Sequence, residues 1–110
     1  MEIESKFSLS QLQSINEQSM MYTCACPAQV SVQMINLRKL FKYQYACLDK
    51  PSDDDVQQVV HQRIAEASIK AHQTLEDCLN EILDLEGWDR TTLTMPAGLR
   101  QLIEKSLDES

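Results

Sequence analysis

The stretch from Pro27 to Gly87, PAQVSVQMINLRKLFKYQYACLDKPSDDDVQQVVHQRIAEASIKAHQTLEDCLNEILDLEG, decides the fold. It holds one internal proline, Pro51, and no glycine before its last residue. On the near side of Pro51, Val30, Met34, Leu37, Phe41, Tyr45 and Leu48 recur in steps of three and four, the period of one helix face. On the far side Val56, Val60, Ile64, Ala67, Ala71, Leu75, Cys78, Ile82 and Leu85 do the same, with Val59, Ile69, Leu79 and Leu83 widening the face. The pattern predicts helices over 27–48 and 53–86, joined by a turn at Asp49-Lys50-Pro51-Ser52.

The ends of these helices carry their own signals. Proline is tolerated in the first helical turn, where its missing N–H has no partner to lose, so Pro27 opens one helix with Cys26 as its cap. Arg38, Lys39, Lys42 and Lys50 lie toward that helix's C-terminal end, the end where the helix dipole favours cations. Ser52 is positioned to cap the next helix, and Asp53, Asp54 and Asp55 place negative charge in its first turn. Gly87 suits the left-handed residue that closes it.

Working outward, Ser8 and Gln11 form a capping box, and Phe7 with Leu12 a hydrophobic staple, which predicts a helix over 9–22. Leu12, Ile15, Ser19 and Tyr22 are its stripe. Residues 88–95 read as a polar connection with Trp88 packed beneath it. Thr94 and Pro96 then start a last helix over 96–107, with Leu99, Leu102, Ile103 and Leu107 inward. The expectation is a single all-α domain over 1–110: four helices around a central antiparallel hairpin, with 1–6 and 108–110 frayed.

Composition agrees with this class. The chain has 110 residues, two glycines and three prolines, and is rich in helix formers. Its formal net charge of −7 disfavours nucleic acid and anionic membranes as partners. The basic and aromatic run from Leu37 to Tyr45 reads better as packing positions and helix-end charge than as a nucleic-acid surface. The first residues lack the basic and apolar pattern of a secretory signal, and no apolar run approaches the ~20 residues of a membrane span. The expected location is cytoplasmic, where cysteines are kept as thiols or metal ligands.

Antiparallel helices place residues whose numbers sum to roughly 101–104 at one height. This sets Cys26 beside Cys78 at the open end of the hairpin, with Cys24 two residues away. A thiol at a helix N-terminus is activated by the dipole, and the three can oxidise reversibly or hold zinc with a fourth ligand. The alternative is that they are small buried hydrophobes. His61 and His72, about three turns apart, cannot share one metal within a chain and read as exposed helix histidines. Asp53-Asp54-Asp55 lacks the ligand spacing of a calcium loop.

The opposite end, the hairpin tip, carries Leu40, Phe41, Tyr43, Tyr45, Leu48, Val56, Val59 and Val60. The first helix reaches only to about Phe41 and the last lies along the far half of the third, so the tip is left bare. A bare apolar surface marks an interface, and two-fold homodimers are the commonest assembly. No phosphate loop, nucleophile elbow or Ser/His/Asp arrangement is present. The expected function is therefore a non-enzymatic helical interaction or regulatory module without a cofactor, homodimeric through the tip and binding another protein. The alternative is a cytosolic thiol redox or metal sensor using Cys24, Cys26 and Cys78.

Overall fold

The computed structural model describes residues 2–20, 26–48 and 54–96. They form three helices, α1 (Leu9–Met20), α2 (Cys26–Leu48) and α3 (Asp55–Glu86), and among the described residues there is no strand beyond a single bridge between Asp89 and Thr94. The chain is thus all-α over this region. No described helix is long and apolar enough to cross a membrane. The helix expected at 96–107 falls outside the described residues except for Pro96, which is not helical.

Each helix end has a local cause. Ser8 Oγ accepts from the Gln11 N–H at 3.1 Å, and Gln11 Oε1 accepts from the Ser8 N–H at 2.8 Å, so both halves of the capping box close. Phe7 and Leu12 are both buried. Helix α2 begins one residue earlier than expected, with Cys26 already in its first turn. Helix α3 is capped by Asp54, whose carboxylate accepts from the Val56 and Gln57 N–H groups at 3.1 and 3.2 Å. This corrects the assignment of that cap to Ser52: an ionised carboxylate is the stronger acceptor and adds its charge to the positive end of the dipole. At the other end Gly87 sits at φ 75°, the Trp88 N–H donates to Leu83 O at 2.9 Å and the Gly87 N–H to Asp84 O at 3.1 Å, the two bonds of a Schellman cap.

Residues 88–95, expected to be a polar connection, fold into a compact turn that faces inward. Asp89 Oδ1 accepts from the Thr91 and Thr92 N–H groups, and the Leu93 N–H donates back to Asp89 O at 2.7 Å. This turn buries Trp88, Leu93 and Met95 against α3. Arg90 fastens it from outside, pairing with Asp84 at 2.8 Å, donating to Asn80 Oδ1 at 2.6 Å and lying over the Phe7 ring.

Helices α2 and α3 pack antiparallel, as the hydrogen-bonded pairs Gln44–His61 and Arg38–His72 show, and α1 packs against α2. The core gathers at the open end: Phe7, Leu12, Ile15, Met34, Leu79, Leu83, Trp88, Leu93 and Met95, with Val30, Ile35, Leu75 and Ile82 around it. Leu40, Tyr43, Tyr45, Val56, Val59 and Val60 are all exposed, Tyr43 and Val56 by about two thirds.

The buried face of α3 matches the expected one only in part: Leu79 and Leu83 of its widening row are buried, and the main stripe is turned away. Ala65, Ser68, His72, Glu76, Leu79 and Leu83 face inward. Those positions lie one residue, or about 100° of helix rotation, from the expected stripe. Val56, Val60, Ala67, Ala71, Cys78 and Leu85 of that stripe are exposed instead.

Substitutions in the two halves should therefore differ. Leu79→Ala removes a fully buried side chain and should cost about 2–5 kcal/mol in urea denaturation. Val56→Ala, at an exposed position, should stay within about 0.5 kcal/mol.

Candidate functional site

Three polar side chains are held together inside the open half of the hairpin, and a fourth, Ser5, joins them from the N-terminal segment. His72 and Glu76 stand one turn apart on the inward face of α3, with 1% and 2% of their surface exposed. Arg38 reaches them from α2. Glu76 Oε1 accepts from Ser5 Oγ and from the Lys6 N–H, each at 2.5 Å. Arg38 donates from Nε to His72 Nε2 at 2.9 Å, and from Nη2 to Ser5 Oγ and Phe7 O, each at 2.6 Å. The network ties residues 5–7 across both helices of the hairpin.

The histidine's protonation follows from this geometry. Because Nε2 accepts from Arg38, it carries the lone pair, and the proton of the neutral ring resides on Nδ1. Nδ1 is buried and has no hydrogen-bond partner among the described residues. Burial and the adjacent Arg38 charge both push the His72 pKa below its usual value, while Glu76 opposes them. Burial also lowers the Arg38 pKa, with Glu76 again opposing. Arg38 nevertheless forms no ion pair among the described residues. Its partners are an imidazole, a hydroxyl and a carbonyl, and the Glu76 carboxylate is occupied by Ser5 and Lys6.

This arrangement corrects two expectations. His72 is a buried acceptor and not an exposed surface histidine, and Arg38 is oriented toward His72 and not held at the helix end by the dipole. His61 is half-buried, its Nδ1 bonded to Gln44 Oε1 at 2.7 Å. A sequence signal for the network existed in Ser68, His72 and Glu76, which continue the step of Ala65, Leu79 and Leu83 on one face.

The expected cysteine site is placed differently from its buried alternative. Cys26 and Cys78 are exposed, Cys47 is half-buried, and Cys24 lies outside the described residues. Among the described residues no group of three His, Cys, Asp or Glu side chains is arranged to hold a metal. Three of the expected interface residues line two separate grooves. Leu40 lines one of about 350 Å³ with Leu37, Ile64, Ala67 and Ala71, while Phe41 and Tyr45 line another of about 570 Å³ with Ile3, Arg38 and Lys42. No protein-family model, curated protein or solved structure matches this chain.

The His72 geometry makes stability depend on pH with a definite sign. An unfolded histidine titrates near ~6.5, and the folded His72 lies below that. Between the two values the unfolded state binds the extra proton, so stability is complete above the ordinary histidine value and is lost as pH falls below it. Urea midpoints at pH 7.5 and 5.5 should show this loss in the wild type. His72→Gln keeps an acceptor for Arg38 but cannot titrate, and should lose less over the same interval.

Proposed function

We propose that this chain is a non-enzymatic helical interaction module that homodimerises through its hairpin tip and binds a further protein. The observation that carries the reading is the uncovered apolar stripe of α3, Val56, Val60, Ile64, Ala67 and Ala71, which continues across the groove to Leu37 and Leu40 of α2. With Tyr43 and Val59 beside it, this surface is larger than the scattered single apolar residues of an ordinary exterior. Two helical hairpins meeting along such faces make a four-helix bundle, in which each stripe is buried by its symmetry mate.

The thiol sensor is the second reading, and the exposure of Cys26 and Cys78 supports it. Cys26 stands in the first turn of α2, where the dipole favours a thiolate. Titration of the folded protein with a thiol reagent separates it from inert packing: fast reaction of Cys24, Cys26 or Cys78 supports this reading, and failure of all three to react removes it.

The dimer is tested by size-exclusion chromatography with light scattering at micromolar concentration. The expected mass is twice the 12.6 kDa of the chain. Val56→Asp and Val60→Asp, both at exposed positions, should return a folded monomer. A wild-type monomer would sink the homodimer.

A further inference from the structure

The segment before Phe7 is held to the hairpin by polar bonds more than by apolar contact. Glu2, Glu4, Ser5 and Lys6 are exposed and Ile3 is half-buried, whereas Phe7 lies in the core. Ser5 Oγ and the Lys6 N–H donate to Glu76, and Arg38 Nη2 donates to Ser5 Oγ and to Phe7 O. Half of this attachment therefore depends on where Arg38 points. Arg38 is aimed in turn by its bond to His72 Nε2 at 2.9 Å.

His72 can accept that bond only while its ring is neutral. A proton on Nε2 would set a donor against a donor at hydrogen-bond distance and place two cations side by side. The charged groups around the pair come from three elements. Arg38 comes from α2, with Lys42 beside it. Glu76 stands one turn away on α3. From the N-terminal segment, Glu4 and Lys6 border Glu76, and Glu2 shares a lining with Arg38. Glu76 attracts both cations, but its Oε1 is already engaged by Ser5 and Lys6, and burial with the Arg38 charge outweighs it at His72. Glu2 and Glu4 are exposed, so solvent screens them. His72 is 1% exposed and has no route to water within the fold, while Arg38 is half-buried and does. The conflict is relieved by Arg38 turning outward, which breaks its bonds to Ser5 and Phe7.

We propose that residues 2–6 form a strap that neutral His72 latches through Arg38, and that protonation of the ring releases the strap about Phe7. Phe7 stays in the core and the Ser8–Gln11 box stays closed, so α1 and the hairpin keep their places. Release withdraws Ile3 from the trough it lines with Phe41 and Tyr45, adding apolar surface to α2 in acid. Proton uptake and release are linked, so freeing the strap by other means must raise the His72 titration. The device lies in the open half and does not depend on the homodimer.

Nuclear magnetic resonance of the full chain reads both sides of this linkage. The His72 ring shifts give its titration, and exchange of the Lys6 amide, corrected for its intrinsic pH dependence, reports the latch. Lys6 should be protected at pH 7.5 and should lose at least about tenfold of that protection across the His72 titration, with the same midpoint, while α3 amides stay protected. His72→Gln keeps an acceptor for Arg38 and should hold Lys6 protection over the same interval. Ser5→Ala, at an exposed position, should weaken Lys6 protection already at pH 7.5 and move the His72 midpoint up toward the ordinary histidine value. The proposal is overturned by an unprotected Lys6 at pH 7.5, by protection indifferent to the His72 titration, or by a loss shared with the α3 amides. It is equally overturned by an undiminished loss in folded His72→Gln or an unmoved His72 midpoint in Ser5→Ala. If His72→Gln does not fold, the Ser5→Ala midpoint decides.

Discussion

A carboxylate taken out of water must be given hydrogen-bond donors in its place, and the open half of this hairpin is arranged around that requirement at Glu76. Two donors come from the N-terminal segment, the Ser5 hydroxyl and the Lys6 N–H. The same hydroxyl accepts from Arg38, which in turn holds His72 one turn away from Glu76 on α3. Residues 5–7 are drawn across both helices by this chain of bonds, and Phe7 is carried with them into the core. From Phe7 the chain enters the capping box at Ser8 and Gln11, which sets the start of α1 and puts Leu12 and Ile15 beside Met34. The polar network and the apolar core at this end therefore constrain each other.

The network lies on the inward seam of α3. By apolar content alone the helix offers two seams: Val56, Val60, Ile64, Ala67, Ala71, Leu75, Cys78, Ile82 and Leu85 on one, and Ala65, Leu79 and Leu83 on the other. Turning α3 by one residue would carry His72 and Glu76 about 100° away from Arg38 and Ser5. The seam that faces inward is the hydrogen-bonded one, although it has fewer aliphatic side chains. One cost is visible in the bonded arrangement: the His72 Nδ1–H is left buried without an acceptor among the described residues, a penalty of about 1–3 kcal/mol.

This accounts for what was legible from the residues and what was not. Local rules near the helix ends were readable because they act over three or four residues: the Ser8–Gln11 box, the Gly87 cap and the staple of Phe7 with Leu12 are all present. The hairpin itself was readable from Pro51 between two long periodic runs. The seam of α3 was not, because counting hydrophobes assigns polar residues outward, while Ser68 satisfies itself on Ile64 O and His72 and Glu76 find partners in distant segments. Glu76 accepts from Ser5, which lies 71 residues away, and no local spacing encodes such a contact. The turn at 88–95 was legible in part: Asp89, Thr91 and Thr92 are exposed and Trp88 is buried as expected, while the bonds among these polar residues, and the burial of Leu93 and Met95 with them, carry no local spacing signal.

Concentrating the core and the network at one end has a consequence for the other. A tip of two helices with exposed Leu40, Val56, Val59 and Val60 adds little to the stability of a lone chain, since those side chains give up little contact with water on folding. Their apolar surface is still available to be buried by a partner, and that gain falls on association instead of folding. The division has a physical logic: a surface that is not needed to hold the chain together can meet another molecule without the fold being rebuilt. It also places the boundary between the two tasks at Arg38. Through Nε and Nη2 this residue belongs to the network that fixes the open half, and it also lines the groove of Phe41 and Tyr45.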